Sequence, residues 1–310
     1  MAPQEIHLPA PKIAINVLLV FLAVVPVLLF KTVAEPFHRG FYCDDESIRY
    51  PYRPSTVSTA VLILFFGSYP IIVISIFEAV RLYIEKPRSE DLPLYKVGNK
   101  VVNRYAVRLY IFIGFFIFGA CLCQILTDIA KYCVGRLRPH FIAVCQPDLT
   151  NFDCDSHAYV DPVNCTGTDE YLKREARLSF LSGHASFSFY TMIYTAREAR
   201  LSFLSGHASF SFYTMIYTAL YLQSRVYWTL YSPLVKPLIQ FTGIALATAC
   251  AYSRISDYKH HWSDVFAGTV LGFIVGITFS LIVAKLFQRG VQRPNRERGD
   301  GSRKLTVRKN

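Results

Sequence analysis

The chain has 310 residues, 52% of them hydrophobic, and a mean hydropathy of +0.29, which is too apolar for an ordinary soluble domain. Its net charge of +11 comes mostly from the C-terminal tail. A basic tail beside apolar segments suits the anionic cytoplasmic leaflet of a membrane, so the charge does not indicate nucleic acid as a partner.

Six apolar runs, each close to the length that crosses a bilayer, follow one another along the chain. They predict an all-α fold with six transmembrane helices rather than the buried helices of a soluble protein, because charged segments connect them. The first run is longer than the core of a signal peptide and is interpreted as an anchor. The fourth is polar for a span and the fifth is short. Glu78, near the inner end of the second run, is expected to snorkel or to be paired. The runs are residues 13–33, 56–80, 106–127, 206–223, 237–252 and 265–284.

Lysine and arginine residues set the predicted orientation. They are concentrated in the tail and in the 81–104 connection, which places both termini in the cytoplasm. Loops 34–55, 128–205 and 253–264 then face the outside or a lumen. Asn164, in the sequon Asn-Cys-Thr, is the predicted glycosylation site on that side. Four cysteines also lie there, where disulfides can form: Cys43, Cys145, Cys154 and Cys165.

A basic cluster from Lys131 to Pro139 follows the third run on the outer side, where the positive-inside rule does not expect it. If the helix continues to Pro139, Lys131 and Arg138 lie about two turns apart and can point at one anion. Taken alone, the cluster is better explained as two surface cations that contact lipid headgroups.

Residues 174–196 recur letter for letter as residues 197–219, which indicates a recent duplication or an assembly error rather than a diverged repeat. The apolar run after His184 covers only about 18 Å of helix before it meets charges, whereas the run after His207 continues to Arg225. The second copy is therefore assigned to the fourth span. The first copy is assigned to an extra outer or interfacial segment.

The segment SRISDYKHHWSD, residues 253–264, lies between the fifth and sixth runs. If its second half is helical, His260 and Asp264 lie on one face, where the carboxylate makes the imidazole a better base or nucleophile. Arg254 adds a planar cation suited to phosphate oxygens. An ordinary polar loop with a satisfied histidine explains this segment, taken alone, equally well.

Three pieces of the chain, taken in order, resemble the signature of the type 2 phosphatidic acid phosphatases, which reads K-x6-R-P, P-S-G-H and S-R-x5-H-x3-D. The surrounding stretches, such as TDIAKYCVGRLRPHF, are similar to the animal lipid phosphate phosphatases. Leu204 stands where the signature has proline, and the repeat inserts 23 residues between the first two pieces. The pieces are Lys131…Arg138-Pro139, Ser205-Gly206-His207 and Ser253-Arg254…His260…Asp264.

The resemblance, which covers roughly residues 12–288, implies a helical-bundle phosphatase domain over 13–288, between a cytoplasmic N-terminus (1–12) and a basic cytoplasmic tail (289–310). It implies metal-independent hydrolysis of phosphatidate, lysophosphatidate, sphingosine 1-phosphate and ceramide 1-phosphate, with no cofactor. The protein would be a multi-pass plasma-membrane protein with an extracellular or lumenal site, and a homo-oligomer is left open.

The resemblance also implies a role for each site residue. His260 is the nucleophile that forms a phosphohistidine, and Asp264 orients it. His207 is the general acid, with His184 as its duplicate. Lys259 is interpreted as surface charge and His261 as a flanking residue. The residues that bind the phosphate are Lys131, Arg138, Ser205, Gly206 and Arg254.

Three other functions are weighed against this one. A catalytically impaired lipid-binding or scaffold relative stays open because of the repeat. A transporter is compatible with six spans, but no inverted repeat and no ionisable pathway at mid-membrane supports it. A vanadate-dependent haloperoxidase shares the anion pocket, and the membrane spans argue against it.

Overall fold

The computed structural model describes residues 5–85, 94–150, 154, 157–179, 205–226 and 234–287. Within them, the long apolar stretches form helices and polar segments connect these helices. The helices are α1 (Ala10–Thr32), α2 (Thr59–Val61), α3 (Gly67–Glu85), α4 (Arg104–Val134), α5 (Phe141–Cys145), α6 (Glu170–Ala176), α7 (Gly206–Arg225), α8 (Val235–Ser256) and α9 (Trp262–Thr278). Two π-helical stretches, Leu62–Phe66 and Phe279–Val283, join α2 to α3 and extend α9.

Five helical segments are long and apolar enough to cross a membrane, and they correspond to the first, second, third, fifth and sixth predicted runs. At the place of the fourth run, α7 has 20 residues, about 30 Å of helix, but its serines and threonines lower its hydropathy. The count of six spans therefore stays a prediction at α7. The five segments are Ala10–Thr32, Thr59–Ile84, Arg104–Val134, Val235–Ser256 and Trp262–Val283.

α7 packs against α4, α8 and α9, and most of its residues are buried. Its serine and threonine hydroxyls donate hydrogen bonds to carbonyls of their own helix, which makes their burial tolerable. The Tyr213 hydroxyl donates to the backbone oxygen of Phe116 in α4 at 2.7 Å. Tyr217 does the same to Phe112 at 3.0 Å. These contacts anchor α7 to α4, so the first turn of α7 has a fixed position beside the end of α4.

Glu78 of α3 is fully buried near the C-terminal end of α7. Its carboxylate accepts hydrogen bonds from the Tyr221 hydroxyl at 2.9 Å and from Nε of Arg225 at 3.2 Å. Nη1 of Arg108 in α4 lies 3.4 Å from Oε2 of Glu78. Of the two expectations for Glu78, the structure shows the paired carboxylate.

We expect Glu78→Ala to lower the free energy of unfolding in detergent by about 3–5 kcal/mol, because Arg225 and Arg108 lose the carboxylate that compensates them. Thermal melts would register the change as a lower Tm. Glu170→Ala is the matched control, since that carboxylate is 86% exposed and surface pairs contribute little. If both variants melt like the unmodified chain, the buried cluster makes no net contribution to stability.

Two small sheets lie at opposite ends of the helices and were missed by the all-α prediction, although the fold is mainly helical. The first joins β1 (Glu5–His7), β3 (Leu94–Val97) and β4 (Lys100–Val102), in the order β1-β3-β4. The second pairs β2 (Phe41–Tyr42) with β5 (Tyr159–Val160), antiparallel. The connecting segments satisfy their backbone N–H and C=O groups by forming these short strand pairs. The hydropathy of the spans carries no information about such pairing. The disulfides Cys43–Cys154 and Cys145–Cys165 lie at the same end of the helices as this second sheet.

Candidate active site

The three sequence motifs meet at the disulfide-bonded end of the helices, around a cavity of about 610 Å³. The last turns of α4 and α8, the first turn of α7 and the turn before α9 supply its polar walls. Ser205 and Asp264 do not line the cavity, but Ser205 adjoins Gly206 in the chain and Asp264 lies beside His260. The predicted site residues that do line it are Lys131, Arg138, Gly206, His207, Arg254 and His260.

The end of α4 separates Lys131 from Arg138. The helix ends just before Gly135, which takes a left-handed conformation with φ of 55° and would overlap the backbone of Phe37 if it carried a side chain. The prediction of one continuous helix up to Pro139 is therefore wrong. The turn after α4 nevertheless returns Arg138 to the cavity, so both cations face one space.

Carboxylates hold the two arginines of the site. Nη2 of Arg138 donates to Oε2 of Glu175 at 2.7 Å, and Nη2 of Arg254, a residue only 1% exposed, donates to Oδ2 of Asp257 at 2.9 Å. Burial alone would raise the pKa of Glu175, but the neighbouring Arg138 and Lys131 outweigh it and lower that pKa. Glu175 is therefore an anion at neutral pH, and both guanidinium groups are oriented before an anion binds.

His260 is buried in the turn before α9 rather than on the helix. The predicted helical face shared by His260 and Asp264 is therefore wrong, because α9 begins at Trp262, after its N-cap His261. The two side chains still approach, with Nδ1 of His260 3.7 Å from Oδ2 of Asp264, which is longer than a hydrogen bond. Burial lowers the pKa of His260 to about 3; Asp264 opposes this shift and Arg138 reinforces it. The imidazole is therefore neutral at physiological pH.

Asp264 is fully buried, and its carboxylate makes four hydrogen bonds among the described residues, one of them between Oδ2 and Nδ1 of His261 at 3.3 Å. Its Oδ1 accepts from Nη1 of Arg136 at 2.9 Å. Its Oδ2 accepts from the Ser179 hydroxyl at 2.7 Å and from the backbone N–H of His261 at 3.1 Å. The last contact is half of a capping box, which fixes the start of α9 at this point. The carboxylate therefore keeps one orientation beside His260.

The Ser205-Gly206-His207 segment forms the start of α7. Ser205 is the N-cap residue, and its backbone N–H donates to the carbonyl of Asp264 at 2.6 Å. A side chain at position 206 would come within 3.1 Å of Nζ of Lys131, so glycine leaves room for that ammonium. Nε2 of His207 is buried and has no hydrogen-bond partner among the described residues. A buried ring nitrogen at the cavity wall can exchange a proton with a bound group.

Both copies of the repeat contribute to this arrangement. Residues 206–219 of the second copy form most of α7, at the place of the predicted fourth span. The first copy is predicted to be an extra outer or interfacial segment, and its described residues, 174–179, lie beside the cavity. They pair with the chain after α4, because Arg138 N donates to the carbonyl of Ala176 and Ser179 N to that of Arg136, both at 2.8 Å. His184 lies outside the described residues.

Lys259 and His140 are two of the cavity residues that were not predicted. Lys259 is 5% exposed rather than a surface charge, and its Nζ lies 3.7 Å from the centre of the Tyr52 ring. Burial, together with the charge of Arg138, lowers the pKa of Lys259 to about 8. His140 also lines the cavity, with Nδ1 2.7 Å from the carbonyl oxygen of Tyr258. Each adjoins a signature residue in sequence, and that adjacency is a signal that could have found them.

Comparisons with known proteins agree with the motifs. Residues 112–200 and 194–288 match the family model of the PAP2 superfamily. Phospholipid phosphatase 1 of Rattus norvegicus is 38% identical over 292 residues, which cover 94% of this chain and 91% of that protein. Phospholipid phosphatase 2 of Mus musculus is 36% identical over 285 residues, covering 92% and 90% of the two chains. No solved structure matches the chain significantly. The chain therefore belongs to the PAP2 superfamily.

Proposed function

We propose that the chain hydrolyses lipid phosphomonoesters without a metal ion, through a phosphohistidine formed on His260. The observation that carries the proposal is the convergence of Lys131, Arg138 and Arg254 on one cavity with a neutral, buried imidazole. A phosphomonoester is close to dianionic at neutral pH, so a cluster of cations complements its charge. Relatives over most of the chain are named phospholipid phosphatases, which supports the same reaction class.

In the first step, Nε2 of His260 attacks phosphorus, because Nδ1 of that ring faces Asp264. A phosphorus–nitrogen bond forms as the bond from phosphorus to the lipid oxygen breaks. The cations stabilise the charge on the three remaining oxygens. His207, in its protonated form, gives its proton to the departing lipid alkoxide, which is a poor leaving group without one.

In the second step, water attacks the phosphohistidine from the side that the lipid alcohol has left. His207, now neutral, accepts the proton of the water as the phosphorus–nitrogen bond breaks. Inorganic phosphate leaves and His260 returns to its neutral form. One proton therefore moves from His207 to the lipid alcohol and is replaced from water, so the cycle closes without any other reactant.

The character of the cavity supports a reaction without a metal ion. Lys131, Arg138, Arg254 and Lys259 all line it, and a divalent cation would be repelled by them. Of the nearby carboxylates, Glu175 and Asp257 are already bound to arginines, and Asp128 accepts a hydrogen bond from Gln124. In the part of the chain that the structure describes, no group of three histidine, cysteine, aspartate or glutamate residues could hold a metal ion.

The position of the cavity supports a site on the extracellular or lumenal face. It lies at the end of the helices that carries both disulfides, and disulfides persist in oxidising compartments. The proposed glycosylation site, Asn164, adjoins Cys165 at the same end. A lipid phosphate can present its head there while its tails stay in the bilayer. We place the protein in the plasma membrane, with phosphatidate, lysophosphatidate, sphingosine 1-phosphate and ceramide 1-phosphate as its substrates.

Phosphate release from a short-chain phosphatidate in detergent micelles tests the proposal. We expect the purified chain to release phosphate at the same rate with EDTA and with added magnesium. A rate that requires magnesium would contradict the metal-independent mechanism. The same assay on a chain that lacks residues 174–196 separates two further outcomes. Release only after the deletion would mean that the repeat blocks an otherwise competent site, and release from neither chain would favour the lipid-binding scaffold.

A further inference from the structure

Asp128 of α4 is a carboxylate at the cavity wall that the proposed mechanism does not use. The residue lines the cavity and is only 5% exposed. Nε2 of Gln124 donates to its Oδ1 at 2.8 Å, which orients the carboxylate. Oδ2 is buried and has no hydrogen-bond partner among the described residues. Leaving a buried acceptor without a partner is costly, so this oxygen is suited to a donor that a bound ligand supplies.

The position of Asp128 matches the part of a lipid phosphate that lies next to its head. Lys131 follows Asp128 by three residues on α4, and both line the same cavity. Three residues of helix rise about 4.5 Å, so Asp128 lies about that much further from the end of α4 than Lys131. In the proposed function Lys131 binds the phosphate while the lipid tails stay in the bilayer. The carbon atoms that follow the ester oxygen therefore pass near Asp128.

Lipid phosphates differ in the group on the carbon atom next to the one that carries the phosphate ester. In 1-acyl lysophosphatidate this group is a hydroxyl, in ceramide 1-phosphate an amide N–H and in sphingosine 1-phosphate an ammonium, and each of them is a hydrogen-bond donor. In phosphatidate it is a second acyl ester, which only accepts. An ionised carboxylate also only accepts. Oδ2 of Asp128 can therefore bind the first three groups but not the fourth.

We infer that Asp128 is a specificity-determining residue, whose Oδ2 accepts a hydrogen bond from this donor and makes the site favour lysophosphatidate and the sphingoid phosphates over phosphatidate. The inference rests on the proposed function and adds the feature of the lipid that the site reads. Phosphatidate still presents its phosphate to the cations, but it leaves Oδ2 without a partner. Since the donor is remote from the reacting bonds, the contact is the same before and during the reaction. It therefore acts through KM rather than through kcat.

The experiment compares kcat/KM for 1-acyl lysophosphatidate and for its 2-deoxy analogue, which has the same acyl chain but no hydroxyl, in detergent micelles. We expect the unmodified chain to favour the hydroxyl form at least tenfold, the scale of a hydrogen bond to a charged group. Asp128→Ala should bring this ratio close to one. Glu170→Gln is the matched control, because that carboxylate is 86% exposed and does not line the cavity. Its ratio should equal that of the unmodified chain.

Asp128→Asn separates a hydrogen bond from a charge pair with little change of shape. The amide oxygen can still accept from the hydroxyl of lysophosphatidate, but it no longer carries the charge that attracts the ammonium of sphingosine 1-phosphate. We expect this variant to lose more kcat/KM with sphingosine 1-phosphate than with lysophosphatidate. An equal loss with every substrate, the deoxy analogue included, would mean that Asp128 supports only Lys131 or the fold, and would overturn the inference. A ratio near one in the unmodified chain would do the same.

A second measurement does not depend on turnover. Phosphonate analogues of lysophosphatidate and of its deoxy form, in which a methylene group replaces the ester oxygen, are titrated calorimetrically into the unmodified chain in micelles. The hydroxyl phosphonate should bind at least tenfold more tightly, and Asp128→Ala should bind both equally. If the chain releases no phosphate but shows this preference, the proposed hydrolysis fails and the inference stands. Phosphate release without the preference would overturn the inference and leave the proposed hydrolysis intact.

Discussion

Replacing His260 with alanine is expected to lower phosphate release by a factor on the order of 10⁶, the scale observed when an enzyme loses its nucleophile. Without the imidazole, no phosphorus–nitrogen bond forms, and the cations hold a phosphate that only water can attack. The measurement is kcat with a short-chain phosphatidate in detergent. His157→Ala is the matched control, because His157 lies at the same end of the molecule, is 68% exposed and contacts the surface residue Asp44 and the ring of Tyr42 rather than the cavity.

A second readout separates the nucleophile from a residue that merely supports the fold. The unmodified chain, quenched with alkali during turnover, should carry a phosphoryl group on His260, since a phosphoramidate survives base and is lost in acid. The His260→Ala chain should carry none. Retained turnover in His260→Ala, or a phosphoryl group on another residue, would contradict the assigned intermediate.

The burial of His260 also predicts how turnover depends on pH. The pKa of His260 lies near 3, below its ordinary value, so the imidazole stays neutral as the pH falls from 8 to 5. Loss of activity over that range must then come from another group. The second ionisation of a phosphomonoester, with a pKa of about 6, is the first candidate, because a monoanion binds the cations less well.

Hydropathy predicted most of the fold because crossing a bilayer demands about 20 apolar residues in a row, and that demand is local. It was least decisive at α7, whose serines and threonines lower the hydropathy. These residues are nevertheless buried, because their hydroxyls donate hydrogen bonds to carbonyls of the same helix. It also missed where α4 ends. Pro139 was taken as the stop, but a left-handed glycine at 135 had already ended the helix. A glycine followed by a proline a few residues later is a known pattern of helix ends. The hydropathy of the span does not detect it.

The sequence predicted those site residues that belong to the signature. It did not predict the residues that reach the site only because tertiary packing buries them there. Six signature residues line one cavity, although no helix carries His260 together with Asp264. Lys259 looked like surface charge because a lysine in a polar loop is normally exposed, and only tertiary packing places it over Tyr52. Ser179, which donates to Asp264 from the first copy of the repeat, had no sequence signal of its own.

His207→Ala and His184→Ala together test which copy of the repeat works. We expect His207→Ala to lower kcat by about 10²- to 10⁴-fold, the range of general acid catalysis, and His184→Ala to leave it unchanged. The two histidines have identical neighbours from ten residues before to twelve residues after, so local sequence does not distinguish them. The expected difference comes from position alone, since His207 lines the cavity at the start of α7.

A proton-transfer role predicts more than a lower rate. Dephosphorylation of an aryl phosphate, whose leaving group needs no proton, should lose much less activity in His207→Ala than dephosphorylation of phosphatidate, whereas a merely structural role would lower both equally. Removal of residues 174–196 yields the same chain as removal of 180–202, because the copies are identical. That chain keeps Glu175 and Ser179 joined to Ser205-Gly206-His207 by fewer residues. If His184→Ala proved to be the inactive variant, the first copy would supply the acid and the assignment of α7 to catalysis would be wrong.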